Sequence, residues 1–210
     1  MAQASDSGLL HKPFVIGSIA TWLGKKADET RSHEWTVFLR SANADEDMST
    51  YIKKVVFILH PTLQPPTRVL ETAPFEVTEF GWGEFEITVQ VFFHDSREKP
   101  IELMHMLKLY HDGDNQQHPI AKPVVSERYD EFVFNHPSEG LRQRLSADVV
   151  PSQKGWRHSA HAKWLTDHDA EAPQESLQHI YQVITAELQT ASKRRRLMEE
   201  ELKQLTKEGE

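Results

Sequence analysis

The run from Phe85 to Phe93 constrains the fold of this chain more than any other stretch. Phe85, Ile87, Val89, Val91 and Phe93 alternate with Glu86, Thr88 and Gln90. Successive strand residues point to opposite faces, so this period of two lays one apolar stripe on one face of a sheet. Such a face needs a second layer to cover it, and the sequence supplies further strands. Trp35-Thr36-Val37-Phe38-Leu39 reads as one, and Val55 to Leu59 as a continuous apolar one. Pro65-Pro66, Pro74, Gly81, Gly83, Pro100 and Gly113 punctuate these runs and disfavour long helices. Many short strands with turns between them predict a mainly β fold, an antiparallel β-sandwich over residues 10–148.

The other end of the chain follows a different period. After Pro173, suited to a first helical turn, come Leu177, Tyr181, Ile184, Leu188, Ala191, Arg195, Met198, Leu202 and Leu205. Their spacings alternate between four and three, and the residues between them are mostly Glu, Gln, Lys and Arg. This seam predicts a C-terminal coiled-coil helix over 173–207. A lone helix would expose the stripe to water, so the seam is expected to pack on something. A different protein is the first expectation; a second copy and the chain's own sandwich are the others. Arg195 interrupts the seam, as charged seam positions that specify partner and register do. Residues 149–172 are irregular and polar, a linker or insertion expected to dock in part through Trp156 and Trp164.

Composition narrows the function. A chain of 210 residues has room for one domain and an appendage. It has no cysteine, which removes disulfide and thiolate chemistry, and no apolar run approaches the roughly eighteen residues of a membrane span. The N-terminus lacks the basic and apolar segments of a signal peptide, so an intracellular protein is expected. A net charge of -8 disfavours direct binding to nucleic acid and suits a basic partner; it also simply keeps a protein soluble. No nucleophile elbow, P-loop or dinucleotide fingerprint is present, and catalysis and cofactors are not expected. His158, His161 and His168, beside Asp167 and Asp169, invite a metal reading, but no fixed frame sets their spacing and no metal site is assigned. Lys193-Arg194-Arg195-Arg196 reads as an import signal or, with Glu199-Glu200-Glu201 following, as a solvated helix face.

One turn carries unusual chemistry. In Phe80-Gly81-Trp82-Gly83-Glu84-Phe85 a tryptophan stands between two glycines, where the backbone can bend and expose both its amides and the indole face. Such a ring either plugs the end of a sandwich or is on display.

This stretch and its surroundings resemble the YEATS-domain family. The resemblance also runs through His33-Glu34-Trp35-Thr36-Val37, Tyr51 to His60, Pro74-Phe75-Glu76-Val77 and Val124 to Glu131, in order along the domain. It implies an immunoglobulin-like sandwich whose end loops bind acylated lysine, acetyl or crotonyl, in histone tails. With the C-terminal coiled coil it is similar to the subgroup shared by histone-variant exchange and histone acetyltransferase complexes. Other subunits of such complexes are then the partners of the helix, and the location is nuclear.

The resemblance places the loop of His60 and Thr62 opposite the loop of Trp82. An acylated lysine is a flat, neutral amide, so it asks for aromatic faces and amide partners. Trp82 would stack on the amide plane, its backbone N–H would donate to the acyl carbonyl, and Gly83 would keep the approach open, with Gly81 among the binding residues. The Thr62 hydroxyl would bond the amide, and His60 would orient that loop or the ligand. Arg31 and His33 are expected along the same channel. Leu63 stands where the family commonly carries an aromatic, and Arg31 where relatives often carry an aromatic or histidine. These departures keep a second reading open, a structural subunit whose sandwich is a protein-contact module with little acyl-lysine affinity.

Overall fold

A computed structural model describes residues 8–43, 46–111, 122–147 and 156–168, and 180–185, 187–188, 190–196 and 198 further on. Among the described residues eight strands form two antiparallel sheets. The first contains β1 (Leu9–Trp22), β2 (His33–Ser41), β5 (Phe75–Gly81) and β8 (Val124–Asn135), in the order β5-β2-β1-β8. The second contains β3 (Ile52–Ile58), β4 (Thr67–Leu70), β6 (Glu86–Phe93) and β7 (Ile101–Met106), in the order β4-β3-β6-β7. The inner faces interdigitate: Phe14, Ile16, Trp35, Val37 and Leu39 from one sheet meet Val55, Phe57, Ile87, Val89 and Val91 from the other. The alternation in β6 does what its period predicts, with Ile87, Val89, Val91 and Phe93 all buried.

β1 behaves differently, and it is the strand the sequence hid. From Phe14 to Ala20 every residue is buried, on both faces. Its inner side chains join the main core, while Val15 and Ile19 form a second cluster with Phe38 and Ala42 on the outer face. Gly17 is required there, because a Cβ would stand 2.8 Å from the Phe38 ring and 2.8 Å from the Ser126 carbonyl. Ser18 points inward and is satisfied across the core by His105 on β7, Oγ to Nε2 at 2.9 Å.

The second cluster is covered by residues 156–168, a strap laid over the outer face of the first sheet. Leu165 packs against the cluster and the Trp156 ring lies over Arg40, whose guanidinium carbon is 4.4 Å from the ring centroid. Arg40 and Glu127, their side chains 5% and 6% exposed, form an ion pair at 2.7 Å and hold the strap by its backbone. The Thr166 N–H donates to Glu127 at 2.9 Å, and its carbonyl accepts from Arg40 at 2.7 Å. Of the two tryptophans expected to dock this segment, Trp156 is buried and Trp164 stays exposed. Among the described residues no three His, Asp or Glu side chains converge as a metal set. His161 approaches the Thr36 hydroxyl, His168 contacts the Tyr129 ring and Asp167 pairs with Arg157.

The helix α1 (Glu139–Ser146) is capped by the Ser138 hydroxyl, which accepts from the Leu141 N–H at 3.1 Å. It buries Leu141 and Leu145, and Arg144 donates to the Thr50 carbonyl, so α1 closes the end of the sandwich where β3 begins. The opposite end is left to loops. The chain divides into two compact units, Met1–His168 and Asp169–Glu210. In the second unit the described residues between 180 and 198 are helical, and the seam residues Tyr181, Ile184, Leu188 and Met198 are exposed. Leu177, Leu202 and Leu205 lie outside the described residues.

Candidate functional site

Where β3 and β5 finish and β6 begins, the loops 59–66 and 81–85 line one cavity of about 670 Å³. The first loop is closed at its base by the Leu59 N–H donating to the Pro66 carbonyl at 2.8 Å. It is tightened by the Leu63 N–H donating to the His60 carbonyl at 2.9 Å. Inside this turn His60 Nδ1 lies 2.8 Å from the Thr62 hydroxyl and 3.4 Å from the Thr62 N–H. A backbone N–H can only donate, so Nδ1 is the acceptor and the ring proton is assigned to Nε2. The Thr62 hydroxyl then gives its own proton to Nδ1 and keeps its lone pairs for a donor in the cavity.

The second loop presents Trp82 at the rim, 64% exposed, which rules out the reading of this ring as a plug in the core. Gly81 ends β5 against Trp35, and a Cβ there would meet the Trp35 indole nitrogen at 3.1 Å. Gly83 has open space around it, so the backbone beside Trp82 is accessible. Glu84 fixes the loop: its carboxylate accepts from the backbone N–H of Leu109 at 2.8 Å and of Tyr110 at 3.3 Å. No local pattern singles out Glu84, because its partners are backbone groups 25 and 26 residues away.

Phe85 is the larger omission. It begins the alternating run, whose period places it on the apolar face of the sheet, yet it is only half-buried and lines the cavity. Its ring lies edge-on to Trp35 at 5.7 Å and tilted to His60 at 5.8 Å. The signal was its position, first in the stripe and directly after the glycine-flanked turn. Leu63 also lines the cavity and packs against the core.

Arg31 lies on the cavity wall, with its guanidinium carbon 4.5 Å from the Phe80 ring centroid. His33 is not on that wall. As the first residue of β2 it turns inward, 1% exposed, pairs in register with Gly81 and packs edge-on against Tyr110 at 5.2 Å. Burial pushes its imidazole below the ordinary value, with the Glu84 charge opposing, so the ring supports the site as a neutral group. Glu79, another wall residue, is paired with Arg68 of β4, which ties the two sheets together beside the cavity. A smaller cavity of about 270 Å³ lies between the strap and the outer sheet face. It lacks the two facing loops and their paired hydroxyl and ring.

The arrangement suits a flat, neutral, elongated group. Its walls are largely aromatic, its His60–Thr62 pair offers a hydroxyl oxygen, and both carboxylates on the walls are already engaged. Against known proteins, a model of the YEATS family matches residues 30–111. Transcription initiation factor TFIID subunit 14b of Arabidopsis thaliana is 52% identical over 134 residues, 63% of this chain and 50% of that protein. The chain thus spans half the length of that relative. Protein AF-9 homolog of Eremothecium gossypii is 40% identical over 152 residues, 68% of this chain and 73% of its own length.

Among solved structures, the Yaf9 YEATS domain bound to H3K27ac superposes with a TM-score of 0.58 at 38% identity, covering 69% of this chain and 98% of that one. The Yaf9 YEATS domain recognising an H3K122suc peptide gives 0.57 at 37% identity, with the same coverage of 69% and 98%. The likeness thus extends well past the matched segment, through most of the sandwich, and the chain belongs to the YEATS family.

Proposed function

We propose that the chain is a chromatin reader subunit that binds acylated lysine in histone tails through the cavity of His60, Thr62, Leu63, Gly81, Trp82 and Gly83. YEATS proteins are histone readers and complex subunits, not enzymes. The two Yaf9 structures carry histone H3 peptides with an acetylated or succinylated lysine, so the ligand class here is an acyl-lysine. The observation that carries the reading is the pairing of an exposed Trp82 beside open backbone with a Thr62 hydroxyl oriented by His60, both on one cavity.

The acyl amide slides between Trp82 and the opposite loop, and the indole stacks on the amide plane for about 1 kcal/mol. The Trp82 N–H donates to the acyl carbonyl. Thr62 Oγ1, its proton given to His60, accepts from the amide N–H. An unmodified lysine brings a charge that no free carboxylate answers, and desolvating it there is costly. Phe85 supplies the second ring face that Leu63 lacks. The C-terminal helix, with Tyr181, Ile184 and Leu188 exposed, docks the reader into a nuclear remodelling or acetyltransferase complex. The family names of the relatives, AF-9 homologs and a TFIID subunit, support a place in such a complex.

Trp82→Ala tests the site. Binding of an acetylated histone peptide is expected to disappear while the fold and the helix-borne complex persist. Loss of complex assembly with the domain still folded would assign Trp82 to a protein interface instead. A second reading, a structural subunit with little acyl affinity, is favoured by Leu63, which offers no π face. It predicts equal binding of acylated and unmodified peptides.

A further inference from the structure

The smaller cavity, between the strap and the outer face of β2 and β5, takes no part in acyl-lysine binding as described above. Its volume of about 270 Å³ is below the roughly 300 Å³ at which pockets begin to take whole small molecules, so it suits a single side chain. Phe38, Met48, Trp156 and Leu165 give it a mostly apolar lining, and Pro74 and Ala160, both exposed, stand at its mouth.

Two polar groups on this lining lack a protein partner. Trp156 is 9% exposed, and its buried indole N–H has no acceptor, a cost that a ligand oxygen would remove. Glu76 is half-buried on the β5 wall, while its strand neighbours Phe75 and Val77 face the core. No described group pairs with its carboxylate. The other carboxylate and the guanidinium on the walls are already answered, Glu46 by Lys12 at 2.6 Å and Arg40 by Glu127 at 2.7 Å. The cavity therefore offers an unanswered carboxylate and an unanswered N–H donor in an apolar body.

We propose that this cavity is a second site for the histone tail and takes an unmodified lysine or arginine at some distance from the acylated lysine. The choice of the tail as occupant rests on the acyl-lysine reading above; the preference for a basic side chain rests on Glu76. The aliphatic stem packs on the apolar lining, the charged head pairs with Glu76, and a tail carbonyl accepts from the Trp156 N–H. An apolar side chain would leave Glu76 buried deeper without a partner, and an acidic one would be repelled. The net charge of -8 favours the approach of a basic tail.

β5 sets the spacing, because it lines both cavities, with Gly81 at the acyl-lysine end and Glu76 at the other. Five strand steps of roughly 3.4 Å separate them by about 17 Å, which about five extended tail residues span. Thr78 lies between them and is exposed, so a tail can follow β5 from one cavity to the other.

The test uses the full chain and one histone-tail sequence with basic flanks, acetylated at a single lysine. A short form carries about three residues on either side of that lysine, and a long form about ten. The long form is expected to bind about fivefold tighter at low salt, and the gain should shrink as salt is raised. Glu76→Gln keeps the shape and removes the charge; it should erase the gain and leave short-form affinity within about twofold. Alanine in place of the distant basic residues of the long form should do the same. The Trp156 indole proton resonance, assigned by its loss in Trp156→Phe, should shift with the long form and stay put with the short one. A long form that binds no tighter than the short one, or a gain that survives Glu76→Gln, would overturn the second site and leave the reader intact. If the short form fails to bind while the long form still shifts the Trp156 resonance, the acyl-lysine reading falls and the basic-residue site stands.

Discussion

Phe85 shows what a single residue can hide. Its place in the alternating stripe marks it as core, and by period alone no other reading is available. In the structure it sits at the point where the stripe runs out of sandwich, so one side packs on Trp35 and the other faces the cavity. Phe85→Leu keeps most of the volume and removes the ring face. Affinity for an acylated peptide should then fall about fivefold, measured by titration, with a melting temperature little changed. A large loss of stability with unchanged affinity would return Phe85 to the core. Trp82, by contrast, was legible from two flanking glycines, because an indole held there has little backbone bulk to bury it. His33 was misplaced for a simple reason. It neighbours Arg31 by two positions, and the intervening entry into β2 turns it to the interior.

At the scale of elements, β6 could be read from its sequence and β1 could not, and the difference is a matter of covering. β6 has one wet face and so alternates. β1 is dry on both faces because the strap covers the outer side, and its Gly17 and Ser18 break up an already weak signal. The strap was anticipated only as a segment with two tryptophans. Its real anchor is the Arg40–Glu127 pair, residues 87 apart that no local pattern connects. Glu127→Ala leaves Arg40 buried without its partner, at a cost of about 3 kcal/mol, and should speed hydrogen exchange across 156–168 before other regions. The terminal helix makes its own prediction. Ile184→Glu together with Leu188→Glu should detach the partner complex, as read by co-purification, and spare peptide binding. Complex assembly that survives both changes would end the proposal that the seam is the docking surface.

For the whole molecule, the two-sheet sandwich was legible from period and punctuation, while the polar link through its middle was not. His105 reaches across the core to Ser18, and burial, aided by Arg128, pushes its imidazole down to about 4. In the unfolded chain the same group titrates near 6.5. The unfolded state therefore binds the proton first, and stability is fully present above about pH 6.5 and lost as pH falls toward about 4. The full shift corresponds to about 3 kcal/mol. Urea unfolding as a function of pH should show this slope, and His105→Asn should flatten it even if it lowers stability throughout. A slope unchanged in that variant would place the acid sensitivity elsewhere.

The central claim is that this sandwich reads an acylated lysine through the loops of Thr62 and Trp82. Calorimetric titration of the full chain with one histone-tail peptide, unmodified or acetylated at a single lysine, tests it most directly. The account predicts micromolar-range binding (roughly -8 kcal/mol at a Kd of 1 μM) that requires the acyl group and vanishes with Trp82→Ala. Equal binding of the two peptides to the folded chain, or binding that survives Trp82→Ala, would contradict it.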